Sequence, residues 1–139
     1  MTKRLSFDSV EVGDDLPPLR LTLSNEQVRD YAVAADMPGG RFFSDEAAQA
    51  EGLPGQIVPG NLSLALFSRL LGAWGAGVRL KRLSATFRAL VRPNVPLVLN
   101  AVVVEKHLSD HGNFVECDLV LENADGDRLV TGTATVALP

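Results

Sequence analysis

The chain has 139 residues, 46% of them apolar and 22% charged, with a formal net charge of −4. That length suits a single domain, residues 1–139, burying roughly 70% of its unfolded surface. The negative charge and a small aromatic set of six Phe, one Tyr and one Trp argue against nucleic acid as the main partner.

Met1 to Asp8 places Lys3 and Arg4 ahead of no apolar core, so it does not read as a signal peptide. No later apolar run approaches the ~20 residues that span a bilayer. Residues 1–17 read as an irregular lead-in, punctuated by Gly13 and Pro17. Leu19, Leu21 and Leu23 alternate with Arg20 and Thr22 as a short strand. Ser24 follows as a helix N-cap with Gln27 as its capping-box partner, and Val28, Tyr31, Ala32 and Ala35 line one face of the helix. Asp36-Met37-Pro38-Gly39-Gly40 breaks it. Ser44 caps a second, short helix that ends at Gly52, with Asp45 and Glu46 placed to suit its dipole.

The loop Pro54-Gly55-Gln56-Ile57-Val58-Pro59-Gly60 opens the most apolar stretch of the chain, through Ala73. Leu62, Leu66, Phe67, Leu70, Leu71 and Trp74 recur at helical spacing. Leu64, Ala65 and Ala73 fill most of the remaining circumference, and Arg69 is its one charge. A helix apolar nearly all round predicts a buried helix that other elements wrap.

From Arg79 the period changes from 3.6 to 2. Leu83, Ala85, Phe87, Ala89 and Val91 alternate with Arg82, Ser84, Thr86 and Arg88. Pro93-Asn94-Val95-Pro96 turns the chain into a second strand, Leu97 to Lys106. Hairpin signals at Asp110-His111-Gly112-Asn113 and Asn123-Ala124-Asp125-Gly126-Asp127 separate the last two strands, around 115–122 and 129–138. Thr131, Thr133 and Thr135 suit a solvated sheet face. The lone Cys117 excludes an internal disulfide and sits in an apolar strand position, which fits a reducing cytoplasm. The pattern predicts helices first and an antiparallel meander second. A sheet curled round one long apolar helix, a hot-dog arrangement of the α+β class, buries both.

Charge is unevenly placed. No acidic residue lies between Glu51 and Glu105, a window that holds Arg69, Arg79, Lys81, Arg82, Arg88 and Arg92. Two readings fit: a solvated basic strand face, or a patch for an anionic ligand such as a phosphorylated cofactor. His107 and His111 fall at a hairpin end, so no metal site is expected of them.

Four segments then carry a family resemblance. They are Gly52-Leu53-Pro54-Gly55-Gln56-Ile57-Val58-Pro59-Gly60, Leu66-Phe67-Ser68-Arg69-Leu70-Leu71-Gly72, Arg82-Leu83-Ser84-Ala85-Thr86-Phe87-Arg88 and Val130-Thr131-Gly132-Thr133-Ala134. From Ser24 to Leu138 the chain resembles the MaoC-like (R)-specific enoyl-CoA hydratases and dehydratases, which are hot-dog proteins. The resemblance implies an enoyl-CoA or 3-hydroxyacyl-CoA thioester as substrate and no further cofactor. It also implies assembly as a homodimer or as a heteromer with a MaoC-like paralogue.

The family's active-site motif is Asp-x-Asn-Pro-(apolar)-His-x-Asp, followed downstream by His-Gly at the helix mouth. Its Asp and His hold and activate the water, and the N–H beside the Gly polarises the thioester carbonyl. A helix N-terminus suits a developing oxyanion because its N–H groups are unpaired and its dipole end is positive.

This chain departs from the motif. Counting back from Gly52 puts Phe42 in the place of the catalytic His, and Pro59 stands where the His of His-Gly belongs. Asp36 matches the family Asp only with a one-residue insertion within Met37 to Gly40. Gly60 and Ser68 match, Ser68 as the helix serine that faces the site.

Three readings stay open. The chain is a hydratase with Asp36 as base and the Gly60 or Asn61 N–H as oxyanion donor; a catalytically silent subunit completing a partner's site; or a hot-dog thioesterase. Arg41, Arg82 and Arg88 are the candidate contacts for the CoA phosphates or thioester, with solvated loop and strand positions as the plain alternative. Arg41 could also pair with Asp36.

Overall fold

Ser24 caps the first helix as its spacing from Gln27 predicts. Its side chain accepts from the Gln27 N–H, and the Gln27 side chain accepts from the Ser24 N–H, at the start of α1, Asn25–Ala34. Ser44 accepts from the Ala47 N–H to open α2, Asp45–Ala50. The long apolar stretch forms α3, Gly60–Gly72. The strands are β1, Leu19–Thr22; β2, Arg79–Phe87; β3, Pro96–Ser109; β4, Gly112–Asn123; and β5, Arg128–Leu138. This computed structural model describes residues 5–139, so the Lys3-Arg4 part of the N-terminal reading lies outside the described residues. The remaining lead-in runs beside β3: Gly13 N–H donates to Val103, and Leu16 N–H to Ala101.

The strands make one antiparallel sheet in the order β1-β3-β4-β5-β2. The expected meander therefore holds only for β3, β4 and β5. Instead of folding back as a hairpin onto β3, β2 lies at the far edge against β5. The reason is the connection between them. Strand β2 ends at Phe87, short of the expected Val91, and a segment with Pro93 and with Asn94 at φ 64 carries the chain across to Pro96, the first residue of β3. That crossover is pinned by Val58 N–H donating to Val91 and Asn94 N–H donating to Leu23.

One sheet face carries the core: Leu97, Leu99 and Val103 from β3, Val115, Cys117, Leu119 and Leu121 from β4, and Val130, Ala134 and Val136 from β5. Against it lies the α3 stripe of Ser63, Leu66, Phe67, Leu70 and Leu71. Thr131, Thr133 and Thr135 line the other face, as their alternation predicts. The helix is less enclosed than its composition suggests. Ala65, Ser68 and Arg69 stay exposed and Leu64 is half-buried. A single five-stranded sheet covers one side of a helix, and no other strand or helix among the described residues encloses the side that carries Ala65, Ser68 and Arg69.

Burial pushes the Cys117 thiol from its ordinary 9.0 up to about 12, with the neighbouring Glu116 and Asp118 charges adding to the effect. A raised folded-state value leaves stability intact below pH 9.0 and removes it as the pH climbs towards 12. Thermal melts of wild type should therefore fall between pH 9 and 11 more steeply than those of Cys117→Ala, and the native thiol should resist thiol reagents at pH 8.

Two packing predictions accompany this. A Cβ on Gly132 would overlap the Ser84 carbonyl oxygen across the β2–β5 ladder. Gly132→Ala should cost about 1–3 kcal/mol in denaturant unfolding. Ser63 Oγ is buried without a hydrogen-bond partner, so Ser63→Ala should raise stability by about 1 kcal/mol, where a satisfied hydroxyl would lower it.

Candidate functional site

The mouth of α3 is held by a polar network that the sequence pattern does not announce. Gln56 is fully buried in the loop before the helix. Its Nε2 donates to the Phe42 carbonyl at 2.9 Å and the Asn25 carbonyl at 3.2 Å, and its backbone N–H donates to Asp45 Oδ1 at 2.8 Å. Asn25 Nδ2 donates to Gln56 Oε1, and Arg92 Nε donates to the Gln56 carbonyl. One residue thus ties the entry of α3 to α1 and the segment at Phe42 through its side chain and to α2 through its backbone N–H. A buried amide is favourable only when it is satisfied in this way.

At the mouth itself, Pro59 is the N-cap and provides no side-chain cap. Its carbonyl accepts from the N–H groups of Leu62 at 3.0 Å and Ser63 at 3.4 Å. The N–H groups of Gly60 and Asn61 have no acceptor among the described residues. They are the pair available to a carbonyl oxygen or an anion. Two side chains crowd this point. A Cβ at Gly60 would lie 2.8 Å from Phe87 Cζ, so only glycine accommodates that ring. Asn61 Nδ2 approaches Met37 Sδ at 3.9 Å, which sets the turn after α1 beside the helix start.

The seven residues singled out from the sequence divide in two. Gly60 and Asn61 form the mouth, and Asp36 is exposed in the adjoining turn at φ 52, next to Met37. The others do not join them. Arg41 neither pairs with Asp36 nor stands free: it bonds Glu51 at 3.0 Å and lies 4.7 Å over the Phe42 ring. Ser68 is exposed, about 12 Å along the helix from Gly60. Arg82 and Arg88 lie on the sheet face opposite α3, paired with or bonded to β5: Arg82 lies across from Thr135, and Arg88 Nε donates to Thr131 Oγ1 at 2.9 Å. A depression on that face, about 560 Å³, is lined by Arg88, Arg128, Asp15 and Asp118 among others, and none of its lining residues belongs to the mouth.

Phe42 and Pro59, which the motif count sets at the places of the family's histidines, carry no titratable group. Phe42 is buried at 7% exposure, with its carbonyl engaged by Gln56. Pro59 is buried as well. Sequence reading missed Phe87, Met37 and the Gln56 network. The alternation did turn Phe87 towards the helix side, but nothing local pairs it with Gly60. No group of three His, Cys, Asp or Glu side chains suited to a metal ion occurs among the described residues.

The family comparison agrees with this architecture. The MaoC like domain family matches residues 11–124. No curated protein matches the chain by sequence. Among solved structures, the unliganded R-hydratase PhaJ1 from Pseudomonas aeruginosa superposes with a TM-score of 0.89 at 19% identity, over 99% of this chain and 88% of that one. The (R)-hydratase from A. caviae involved in PHA biosynthesis gives 0.84 at 25% identity, over 94% and 98%. The ChsH1-ChsH2 complex from Mycobacterium tuberculosis gives 0.82 at 19% identity, over 94% and 99%. With the hot-dog sheet, the helix mouth and a match over most of its length, the chain belongs to the MaoC-like dehydratase family.

Proposed function

We propose that this chain serves the hydration and dehydration of enoyl-CoA and 3-hydroxyacyl-CoA thioesters as a subunit that completes the site of a MaoC-like paralogue. One observation carries the reading. The α3 mouth keeps two unengaged N–H groups, while the positions that should move protons hold Phe42 and Pro59. Hydration needs a base to take a proton from water as its oxygen bonds the β-carbon, and a donor that returns a proton to the α-carbon. Phe42 and Pro59 do neither. General acid–base catalysis contributes ~10²–10⁴-fold, so a paralogue with an intact Asp/His pair supplies what this chain lacks. The heteromeric ChsH1-ChsH2 assembly among the structural neighbours offers a precedent for such a pairing.

A second reading keeps Asp36 as a lone base, because the turn that carries it abuts Asn61 through Met37. The purified chain should be assayed on trans-2-enoyl-CoA thioesters, alone and mixed with a MaoC-like chain encoded beside it. Silence alone with activity in the mixture is expected. Hydration by the lone chain that vanishes in Asp36→Asn would move the function to the second reading, and release of free CoA without hydration would move it to a thioesterase.

The mouth gives a separate prediction. In the active mixture Gly60→Ala should lower kcat/KM by about tenfold or more, because the added methyl displaces Phe87 or shifts the donor N–H groups. Gly60→Ala combined with Phe87→Ala should recover part of that loss. No recovery would show that the Phe87 contact is not what limits the mouth.

A further inference from the structure

We propose that the sheet face turned away from α3 carries a second binding site, a trough for a small zwitterion whose ammonium and anionic groups lie about 10 Å apart. This site is separate from the helix mouth and stands without the subunit reading.

Side-chain size makes the trough. The outward positions of two neighbouring rows hold only short side chains, running across the sheet from Asn100 to Thr86 in one row and from Val102 to Ser84 in the next. Longer side chains bound these rows, Arg88 and Arg128 at one end and Arg82 and Glu116 at the other. Asp15, bridged to Val102, closes the side along β3. The result is the depression of about 560 Å³, a volume in the range of small-molecule sites. A second copy laid on this face would set hollow against hollow and leave the space unfilled, whereas a small molecule makes contacts within it.

The charges of the trough are divided. Val102 has Asp15 on one side and Asp118 on the other, each about 5 Å away between Cα atoms. An ammonium over Val102 therefore meets two carboxylates. The cations stand towards the opposite corner. Arg88 N–H donates to the Leu129 carbonyl, which sets Arg88 beside Arg128. Arg88 Nε donates to Thr131 Oγ1 at 2.9 Å, so its guanidinium leans over the middle of the trough. From there to the carboxylates is one same-face step of about 7 Å and one to two strand spacings of about 4.8 Å, a diagonal on the order of 10 Å. The hydroxyls of Thr86 and Thr133 and the amide of Asn100 line the path between.

Other acids share this face. Glu122 lies across the ladder from Arg128, and Glu116, bonded by Thr135, lies beyond Asp118. Neither makes an ion pair with these arginines, since the one ion pair among the described residues joins Arg41 and Glu51. The face is mixed in sign and polarised along its diagonal. Such a site favours a ligand carrying both charges, because a simple anion or cation meets repulsion at one end.

Triglycine is the probe, because three extended residues span about 10 Å and its termini carry the two charges. The full-length chain, isotope-labelled, would be titrated with triglycine at low and at physiological salt. Saturable amide shifts are expected at Asn100, Val102, Asp118, Thr131 and Thr133, with Gly60 and Asn61 unmoved. N-acetyl-triglycine lacks the ammonium and triglycinamide lacks the carboxylate, so each should bind about tenfold or more weakly. The same loss is expected for triglycine with Asp118→Asn and with Arg128→Gln, and binding should weaken as salt rises. Arg20→Gln, on the outer face but outside the trough, is the control and should bind as wild type does.

Shifts that never saturate would overturn the proposal, as would affinities that neither cap nor either trough variant changes. Coenzyme A that moves the same amides and loses its effect in Arg128→Gln, with no response to triglycine, would also overturn it and assign the cations to a phosphate ligand.

Discussion

The packing of α3 against the inner face of the sheet is the constraint on which the rest depends. Phe67 and Leu71 are completely buried, and Leu66 and Leu70 nearly so, between one helix and the strands that curl across it. A fully buried aromatic such as Phe67 typically stabilises by several kcal/mol, the loss seen when one is truncated to alanine. Because this stripe fixes how the helix lies, it also fixes where the helix begins. The unengaged N–H groups of Gly60 and Asn61 are therefore aimed by the core and not by local chemistry. Gln56 completes the constraint. It holds the incoming loop to the carbonyls of Asn25 and Phe42, so the first turn of α3 cannot swing about its buried part.

Legibility from sequence follows the range of the interaction involved. Ser24 with Gln27 and Ser44 with Ala47 are contacts three residues apart, and the cap signals located both helix starts. Strand alternation assigned Thr131, Thr133 and Thr135 to the outer face for the same reason. The placement of β2 beside β5 is decided by contacts between residues 43 to 58 positions apart, and by a crossover whose route has no periodicity to read. Asn25, Gln56 and Asn94 form one amide chain across three distant segments. Each looks in sequence like an ordinary loop or helix-end residue.

The same distinction runs through the site. Gly60 and Asn61 could be found because a helix start is a local event. Arg41 was legible as a cation but not as a partner of Glu51, since that pairing depends on the path of the chain through α2. Ser68 matched by position, yet the helix turns it away from the mouth and towards solvent. Arg82 and Arg88 were grouped with the site by charge alone. Strand alternation places them on the face away from α3, as it places Leu83 and Phe87 on the face towards it. A charge count along the chain carries no information about faces until the strand's two sides are separated.

Phe87 connects the helix mouth with the sheet edge. It is the last residue of β2, and its ring rests on Gly60 while about half of its surface stays in water. A strand added along β2 would cover that exposed half and press the ring against the helix start. The site and the uncovered edge are therefore mechanically one region, joined by a single side chain. A partner need not reach the mouth to influence it, because fixing Phe87 limits how closely a ligand approaches the Gly60 N–H. The mouth itself consists of two N–H groups aimed by the core, with the Phe87 ring resting on the first of them.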